Sequence, residues 1–270
     1  MVGLSEELRA DLIGVAHRLA DAARIETLRH FREGIGSEDK AAGGERFDPV
    51  TVADRASERA MRDILALARP DDGILGEEYG RVGGRSGLTW VLDPIDGTRG
   101  YICGTPTWGV LVSVADDGGP LFGVIDQPYI AERFAGGFGQ AEVTGPMGRR
   151  VLRTRPARPL AESIVLSTFP EVGTPAERDG FHAVAGQARL TRYGMDCYGY
   201  ALVAAGQVDL VIEAGLEAYD VQAPIAVITA AGGVVTDWQG GPAHEGGRIL
   251  AAANAAVHAE ALAILRHVPG

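Results

Sequence analysis

Trp90-Val91-Leu92-Asp93-Pro94-Ile95-Asp96-Gly97-Thr98 carries the two carboxylates on which the reading of this chain turns. Apolar residues of strand character lead into Asp93. Pro94 and Gly97 then bend the chain, and a second carboxylate, Asp96, follows three residues on. In a regular strand, residues i and i+3 face opposite sides, so a turn is needed for the two aspartates to converge. Neighbouring carboxylates with no basic partner repel and raise each other's pKa. A hard divalent cation removes that conflict, and oxygen-only donors favour Mg²⁺ or Mn²⁺ over zinc. Taken alone, the run also fits a strand end with Asp-Gly turn chemistry and a helix-capping Asp.

Three further acidic segments shift the balance toward an assembled site. They are Asp48-Pro49-Val50-Thr51, with Asp54 and Glu58 just behind it; Gly76-Glu77-Glu78, ending the apolar Ile74-Leu75; and Ala218-Tyr219-Asp220, opening a helix. Each sets a carboxylate where an element begins or ends.

The 270 residues include 25 Lys plus Arg against 36 Asp plus Glu, a formal charge of −11, and 46% are hydrophobic. That apolar fraction builds a core, and the charge argues against a general nucleic-acid surface. No apolar run reaches the roughly 18 residues of a membrane span. The longest, 223–235, is broken by Pro224, Gly232 and Gly233. The first residues lack the basic-then-apolar order of a signal peptide. Cys103 and Cys197 form no CxxC pair, which excludes a disulfide framework and leads us to expect a reduced, cytoplasmic protein with Cys103 a packed thiol. The six histidines form no HExxH motif, and no P-loop or strand-linked GxGxxG run is present.

Periodicity organises the rest. Leu8, Leu12, Val15, Leu19, Ala23 and Leu28 predict an amphipathic helix over 4–31, followed by a polar, glycine-rich loop at 34–44. A second helix starts from Thr51 as N-cap. Strands are expected at 90–92, 110–114, 121–125 and 133–135, with Gly118-Gly119 and Gly136-Gly137 as turns. The Arg-, Pro- and Gly-rich stretch 142–159 is the expected seam between an N-terminal α+β half, 1–150, and a C-terminal half, 151–270. In the latter, strands at 164–167, 210–213, 234–237 and 249–252 alternate with helices at 177–186, 198–205, 221–231 and 255–266.

The combination of DPVTxAD (48–54), GEE (76–78), WVLDPIDGT (90–98) and YDVQAP (219–224) strongly resembles the inositol monophosphatase superfamily, the magnesium-dependent, lithium-sensitive phosphatases of small phosphate esters. Order and spacing match from the first helix to Gly233. The resemblance implies an α+β fold, the layered αβαβα sandwich of the inositol monophosphatase and fructose-1,6-bisphosphatase type, in a homodimer. It implies two or three Mg²⁺ ions and a small-molecule phosphate ester as partner, while the charge and the short apolar runs argue against nucleic acid and membrane. Glu77, Asp93 and the Ile95 carbonyl correspond to ligands of a first metal. Asp93, Asp96 and Asp220 correspond to ligands of a second, and Glu77 also touches a third. Asp48 and Thr98 match the pair that activates the attacking water, and the N–H groups of Gly97 and Thr98 match those that hold phosphate. A covalent aspartyl mechanism uses DxDxT, and the three-residue spacing here argues against it.

For the leaving group, the runs 192–200 and 206–213 look most like the histidinol-phosphate phosphatases of the superfamily, enzymes of histidine biosynthesis. The chemistry is compatible: with the ammonium and imidazole of histidinol phosphate, Asp196 and Glu213 could pair with the cation, Tyr198 could offer an aromatic face and Arg192 could touch substrate. The resemblance also sets Glu213 where the inositol enzymes use a carboxylate to bind a ring hydroxyl. The plainer alternatives are a helix-capping Asp196, core aromatics at Tyr198 and Tyr200, and a surface Arg192. Glu78, Asp54 and Glu58 read as supporting or surface groups. Rival readings are an inositol-1-phosphatase, a 3′(2′),5′-bisphosphate nucleotidase or sugar phosphatase, and a catalytically idle metal-binding regulator. Arg149, Arg150, Arg153, Arg155 and Arg158 could also meet an anionic partner. Three departures from the family pattern stand out. Ser37, with Lys40 nearby, replaces a loop lysine. Arg99-Gly100-Tyr101 replaces a small-polar-Phe run. Tyr219 replaces a tryptophan.

Overall fold

The computed structural model describes residues 4–34, 36, 38–39 and 49–269. Asp48, Ser37 and Lys40 lie outside the described residues.

Helix α1 (Glu6–His30) starts at Ser5, whose hydroxyl accepts the Leu8 N–H at 3.2 Å. Its apolar stripe at Leu12, Val15 and Leu19 is fully buried. The short strands β1 (Glu38–Asp39) and β2 (Pro49–Val50) pair antiparallel ahead of α2 (Val52–Ala68). Thr51 is the N-cap of α2, as its sequence predicts, and forms a reciprocal capping box with Asp54.

Then follow β3 (Gly73–Gly76), β4 (Gly80–Val82), β5 (Thr89–Asp96), α3 (Thr98–Cys103), β6 (Gly109–Asp116), β7 (Gly119–Gln127), β8 (Glu132–Gly137), β9 (Gln140–Gly145) and β10 (Gly148–Val151). These strands form one sheet of order β10-β9-β8-β7-β6-β5-β3-β4, antiparallel except where β3 runs parallel to β5. Much of the stretch expected as a seam is therefore the β9–β10 hairpin, which extends the first sheet. Its arginines also divide. Arg149 pairs with Glu142 across the hairpin, whereas Arg155 and Arg158 reach the buried Asp209 at 2.9 and 3.4 Å.

After a 3₁₀ turn (Leu160–Glu162) come β11 (Ile164–Ser167), α4 (Pro175–Ala185), β12 (Leu190–Tyr193), α5 (Asp196–Ala204), β13 (Leu210–Glu217), α6 (Ala218–Ala230), β14 (Val234–Thr236), β15 (Gly246–Ala252) and α7 (Ala255–Leu265). The second sheet has the order β12-β11-β13-β15-β14.

The period-two alternation of the strands decides the layering. Trp90, Leu92, Val112 and Val124 pack against Leu12, Leu19, Met61 and Leu65 of α1 and α2. The opposite faces, Leu111 and Ile125 of the first sheet and Leu166, Val211 and Ile249 of the second, enclose α5 and α6 through Cys197, Tyr200, Val221 and Val227. The outer face of the second sheet, through Val165, Leu210 and Ile212, takes Phe181 of α4 with Val257 and Leu265 of α7. Helices, sheet, helices, sheet, helices: this is the αβαβα sandwich. Asp126 ties α1 to the first sheet, accepting Arg24 Nε at 3.0 Å and Arg133 Nε at 2.6 Å while fully buried.

Candidate active site

The approach of Asp93 and Asp96 follows from one extra residue in β5. Asp93 pairs with Leu111 of β6 and Asp96 with Gly109, so a three-residue step on β5 spans two residues on its neighbour. This bulge returns Asp96 to the same side as Asp93. The predicted turn is thus a bulge inside the strand. That side is the middle layer, where α6 begins. Asp220 sits at the third helical position of α6 and accepts the Glu217 N–H at 2.7 Å. Carboxylate oxygens of Asp93, Asp96 and Asp220 all lie within 4.8 Å of one another. Among the described residues this is the group of His, Cys, Asp or Glu side chains close enough to share an ion.

Asp93 is 1% exposed, and its Oδ1 accepts the Ile95 N–H at 3.0 Å. Burial, then the charges of Glu77, Asp96 and Asp220, raise its pKa well above the usual carboxylate range. Asp96 is raised well above that range too, by burial and then by Asp220 and Asp196. Three clustered carboxylates, the buried Asp93 among them, with Glu77 facing the same cavity, repel one another and fit a hard divalent cation, which reverses the penalty each imposes on the others. Glu77, Asp93, Asp96 and Asp220 could hold it, with the Ile95 carbonyl beside them.

Supporting contacts explain residues that sequence reasoning left as accessory. Glu58 is fully buried on α2. It accepts the N–H groups of Glu78 at 2.7 Å and Tyr79 at 3.2 Å and pairs with Arg62 Nε at 2.7 Å. It therefore clamps the turn just after Glu77. The backbone of Gly76 lies against that carboxylate, and an added Cβ would overlap it. Asp54, also buried, binds Thr51 and lies 3.4 Å from Thr98 Oγ1, which also donates to the Ile95 carbonyl at 3.1 Å. Gly97 caps α3 with φ +85°, and Thr98 opens that helix.

A cavity of about 410 Å³ joins these groups to the second sheet. Its lining includes Asp196, Glu213 and Thr168. Asp196 does not cap α5 with its side chain. It is the first residue of the helix, at φ +45°, and its Oδ2 accepts Thr107 Oγ1 at 2.8 Å. Its carboxyl packs where a side chain on Gly97 would stand, 2.6 Å from an ideal Cβ there. Burial raises the Asp196 pKa, opposed by Thr107 and Arg99. Glu213 accepts from Thr168 N at 2.6 Å, Thr168 Oγ1 at 2.9 Å and Ser167 Oγ at 3.3 Å.

Three expectations are corrected. Arg192 lies exposed on β12 and does not line the cavity; the arginine that does is Arg99. Tyr198 points to another cavity, donating to Glu132 Oε2 at 2.7 Å, and the aromatic lining the acidic cavity is Phe169. Cys103 is exposed at the end of α3, not packed, whereas Cys197 is buried and its thiol pKa is pushed up by that burial. Arg99 and Phe169 were missed because they are distant in sequence. The departure at Arg99-Gly100-Tyr101 was the available signal.

Residues 9–269 match the model of the inositol monophosphatase family, and the chain belongs to that family of phosphatases. It is 33% identical over 262 residues to a histidinol-phosphatase from Streptomyces coelicolor, covering 94% of this chain and 97% of that one. It is 38% identical over 228 residues, 84% of this chain, to the chloroplastic bifunctional phosphatase IMPL2 of Arabidopsis thaliana, of which the matched part is 64%. An inositol monophosphatase from Zymomonas mobilis superposes with a TM-score of 0.84 at 35% identity, over 97% of this chain and 100% of that one. Among the described residues, no helix is long and apolar enough to cross a membrane.

Proposed function

We propose that this chain is a Mg²⁺-dependent histidinol-phosphatase, hydrolysing L-histidinol phosphate to L-histidinol and phosphate. The observation that carries the reading is the sharing of one cavity by two kinds of carboxylate. Glu77, Asp93, Asp96 and Asp220 form a cation-seeking cluster, and Asp196 lies beyond it on α5. The first set suits a metal; the second suits the ammonium of the leaving alcohol. Relatives named histidinol-phosphatase support it.

Glu77, Asp93, the Ile95 carbonyl, Asp96 and Asp220 would hold two or three Mg²⁺ ions. When bound, these supply Lewis acidity toward the phosphate and lower the pKa of water. The chain's residues do the rest. Thr98 and Asp48 orient the attacking water, whose proton passes to the Asp48 carboxylate. The N–H groups of Gly97 and Thr98 hold phosphate oxygens. The water oxygen bonds to phosphorus, the bond to the leaving oxygen breaks, and the leaving oxygen takes up a proton from solvent water. Asp196 holds the ammonium of the departing alcohol.

The test is phosphate release from histidinol phosphate, inositol-1-phosphate and 3′-phosphoadenosine 5′-phosphate, with Mg²⁺ and with EDTA. A kcat/KM highest for histidinol phosphate is expected. A higher value for inositol-1-phosphate overturns the substrate, and EDTA-resistant turnover overturns the metal chemistry.

A further inference from the structure

We propose that Phe169 is the specificity-determining surface on which the ring of the leaving alcohol lies, and that Glu213 is a positioning residue that holds Phe169 there. The inference rests on the histidinol phosphate reading and adds residues to it.

Among the described residues lining the acidic cavity, Phe169 is the single aromatic. It is 37% exposed. The Arg99 guanidinium stands 5.1 Å from the ring centroid, fixing the ring by a cation–π contact between the first sheet's helix α3 and the second sheet's loop. Val172, Ala214 and Leu216 extend the apolar lining beside it. None of these side chains offers a hydrogen bond to a ring hydroxyl. This apolar, aromatic wall suits the face of a flat heteroaromatic ring better than a polyol, while Arg99, Thr168, Asp196 and Glu213 line the rest of the cavity.

Phe169 sits on a loop that two features pin. At its start, Glu213 takes both the N–H and the hydroxyl of Thr168, together with Ser167 Oγ. The Phe169 carbonyl accepts Val172 N at 3.4 Å and shares the one Ser167 hydroxyl proton with Glu213, each oxygen 3.3 Å from Ser167 Oγ. At its end, Gly173 adopts φ +56°, with Ala214 Cβ 3.0 Å from the place of an added Cβ. Glu213 and Leu216 reach this loop and the cavity from one side of β13 because that strand carries its own one-residue bulge. Glu213 pairs with Ile249 and Leu216 with Gly247. The donors to Glu213 are Ser167 and Thr168, the residues that lead into Phe169, so Glu213, which also lines the cavity, positions the ring.

The experiment compares two ammonium-bearing esters on the full chain with Mg²⁺: histidinol phosphate, which has a ring, and 2-aminoethyl phosphate, which has none. In F169A the ratio of their kcat/KM values falls about tenfold, through KM for the ring substrate. F169Y restores it. E213A reproduces the KM effect, E213Q shows a smaller one because its amide oxygen still accepts the Thr168 N–H, and F169A/E213A is no worse than F169A alone. A wild type that does not favour histidinol phosphate over 2-aminoethyl phosphate overturns the substrate reading and this inference with it. A wild type with that preference, kept in F169A, overturns this inference alone. So does a changed molecular mass of F169A in sedimentation, which would assign the exposed ring to a contact between copies of the chain.

Discussion

The Asp96 carboxylate accepts the backbone N–H of Cys197 at 2.5 Å, across 101 residues of sequence. Met195, the N-cap of α5, supplies no side-chain acceptor, so an aspartate from the bulge of β5 caps a helix of the second half. The same helix turn presents Asp196 to Thr107 and to the backbone of Gly97. The Asp96 and Asp196 sides of the cavity are therefore held in register by two hydrogen bonds and one close packing contact.

That dual use separates two substitutions at one position. D96N keeps an oxygen that can accept from Cys197, whereas D96A leaves the N–H without it. Both are expected to lower kcat/KM more than about a hundredfold through lost charge at the cluster. D96A should in addition be less stable than D96N by about 1 kcal/mol, the cost of a lost helix cap. Urea unfolding of both variants checks it; equal midpoints would deny Asp96 its capping role.

Asp93 isolates the metal from the fold. Without metal, D93N is expected to be no less stable than wild type, because it removes one of several mutually repelling buried charges. With Mg²⁺ at a hundred times its dissociation constant, wild type gains about 2.7 kcal/mol. D93N gains little and is inactive. Differential scanning calorimetry with EDTA and with Mg²⁺ reads both, and a Mg²⁺-induced rise in D93N equal to wild type would remove Asp93 from the ligand set.

Glu77, Asp93, Asp96 and Asp220 were legible in the sequence because each stands where an element begins, bends or ends, where period and punctuation are local signals. Thr51 was legible as a cap for the same reason. At the other end of the cavity Asp196 and Glu213 were legible and do line it, whereas Phe169 and Arg99 beside them were not. Phe169 reaches the cavity through Ser167, Thr168 and Glu213, and Arg99 meets it across the two sheets, contacts with no sequence periodicity. Tyr198 and Arg192 looked suitable by proximity to Asp196. However, the helical turn carries Tyr198 to Glu132, and β12 is an edge strand that leaves Arg192 in solvent. The strands of the β9–β10 hairpin were hidden by their arginines and glycines, which strand patterning disfavours.

Gly76 is expected to tolerate no side chain. A Cβ there would overlap the Glu58 carboxylate, which is buried and held by Arg62 and two backbone N–H groups. G76A should therefore displace Glu58, loosen the turn carrying Glu77, and cost about 2–4 kcal/mol. E58A should cost about 3–5 kcal/mol, because Arg62 and two N–H groups lose their partner. Mg²⁺ affinity, read by calorimetric titration, should fall in both. A G76A protein with wild-type stability and affinity would show that the turn does not depend on this packing.

Glu213 gives the pH dependence a sign. Burial pushes its carboxyl pKa up to about 7, against hydrogen bonds from Thr168 and Ser167 that lower it. In the unfolded chain the group titrates near the ordinary glutamate value, about 4.3. Between those two values the folded protein binds a proton that the unfolded chain has released. Stability from this group is therefore lost as pH rises from about 4.3 toward 7 and stays lost above it. Asp93 and Asp96 act in the same direction, so the wild-type curve alone does not isolate Glu213. The difference between wild type and E213Q does. E213Q should gain relative stability steadily from pH 5 to pH 7 and hold a constant offset above pH 8, in urea midpoints measured with EDTA present. A difference that stays flat across that range would mean that Glu213 is ionised throughout and that its three donors, not its burial, set its charge.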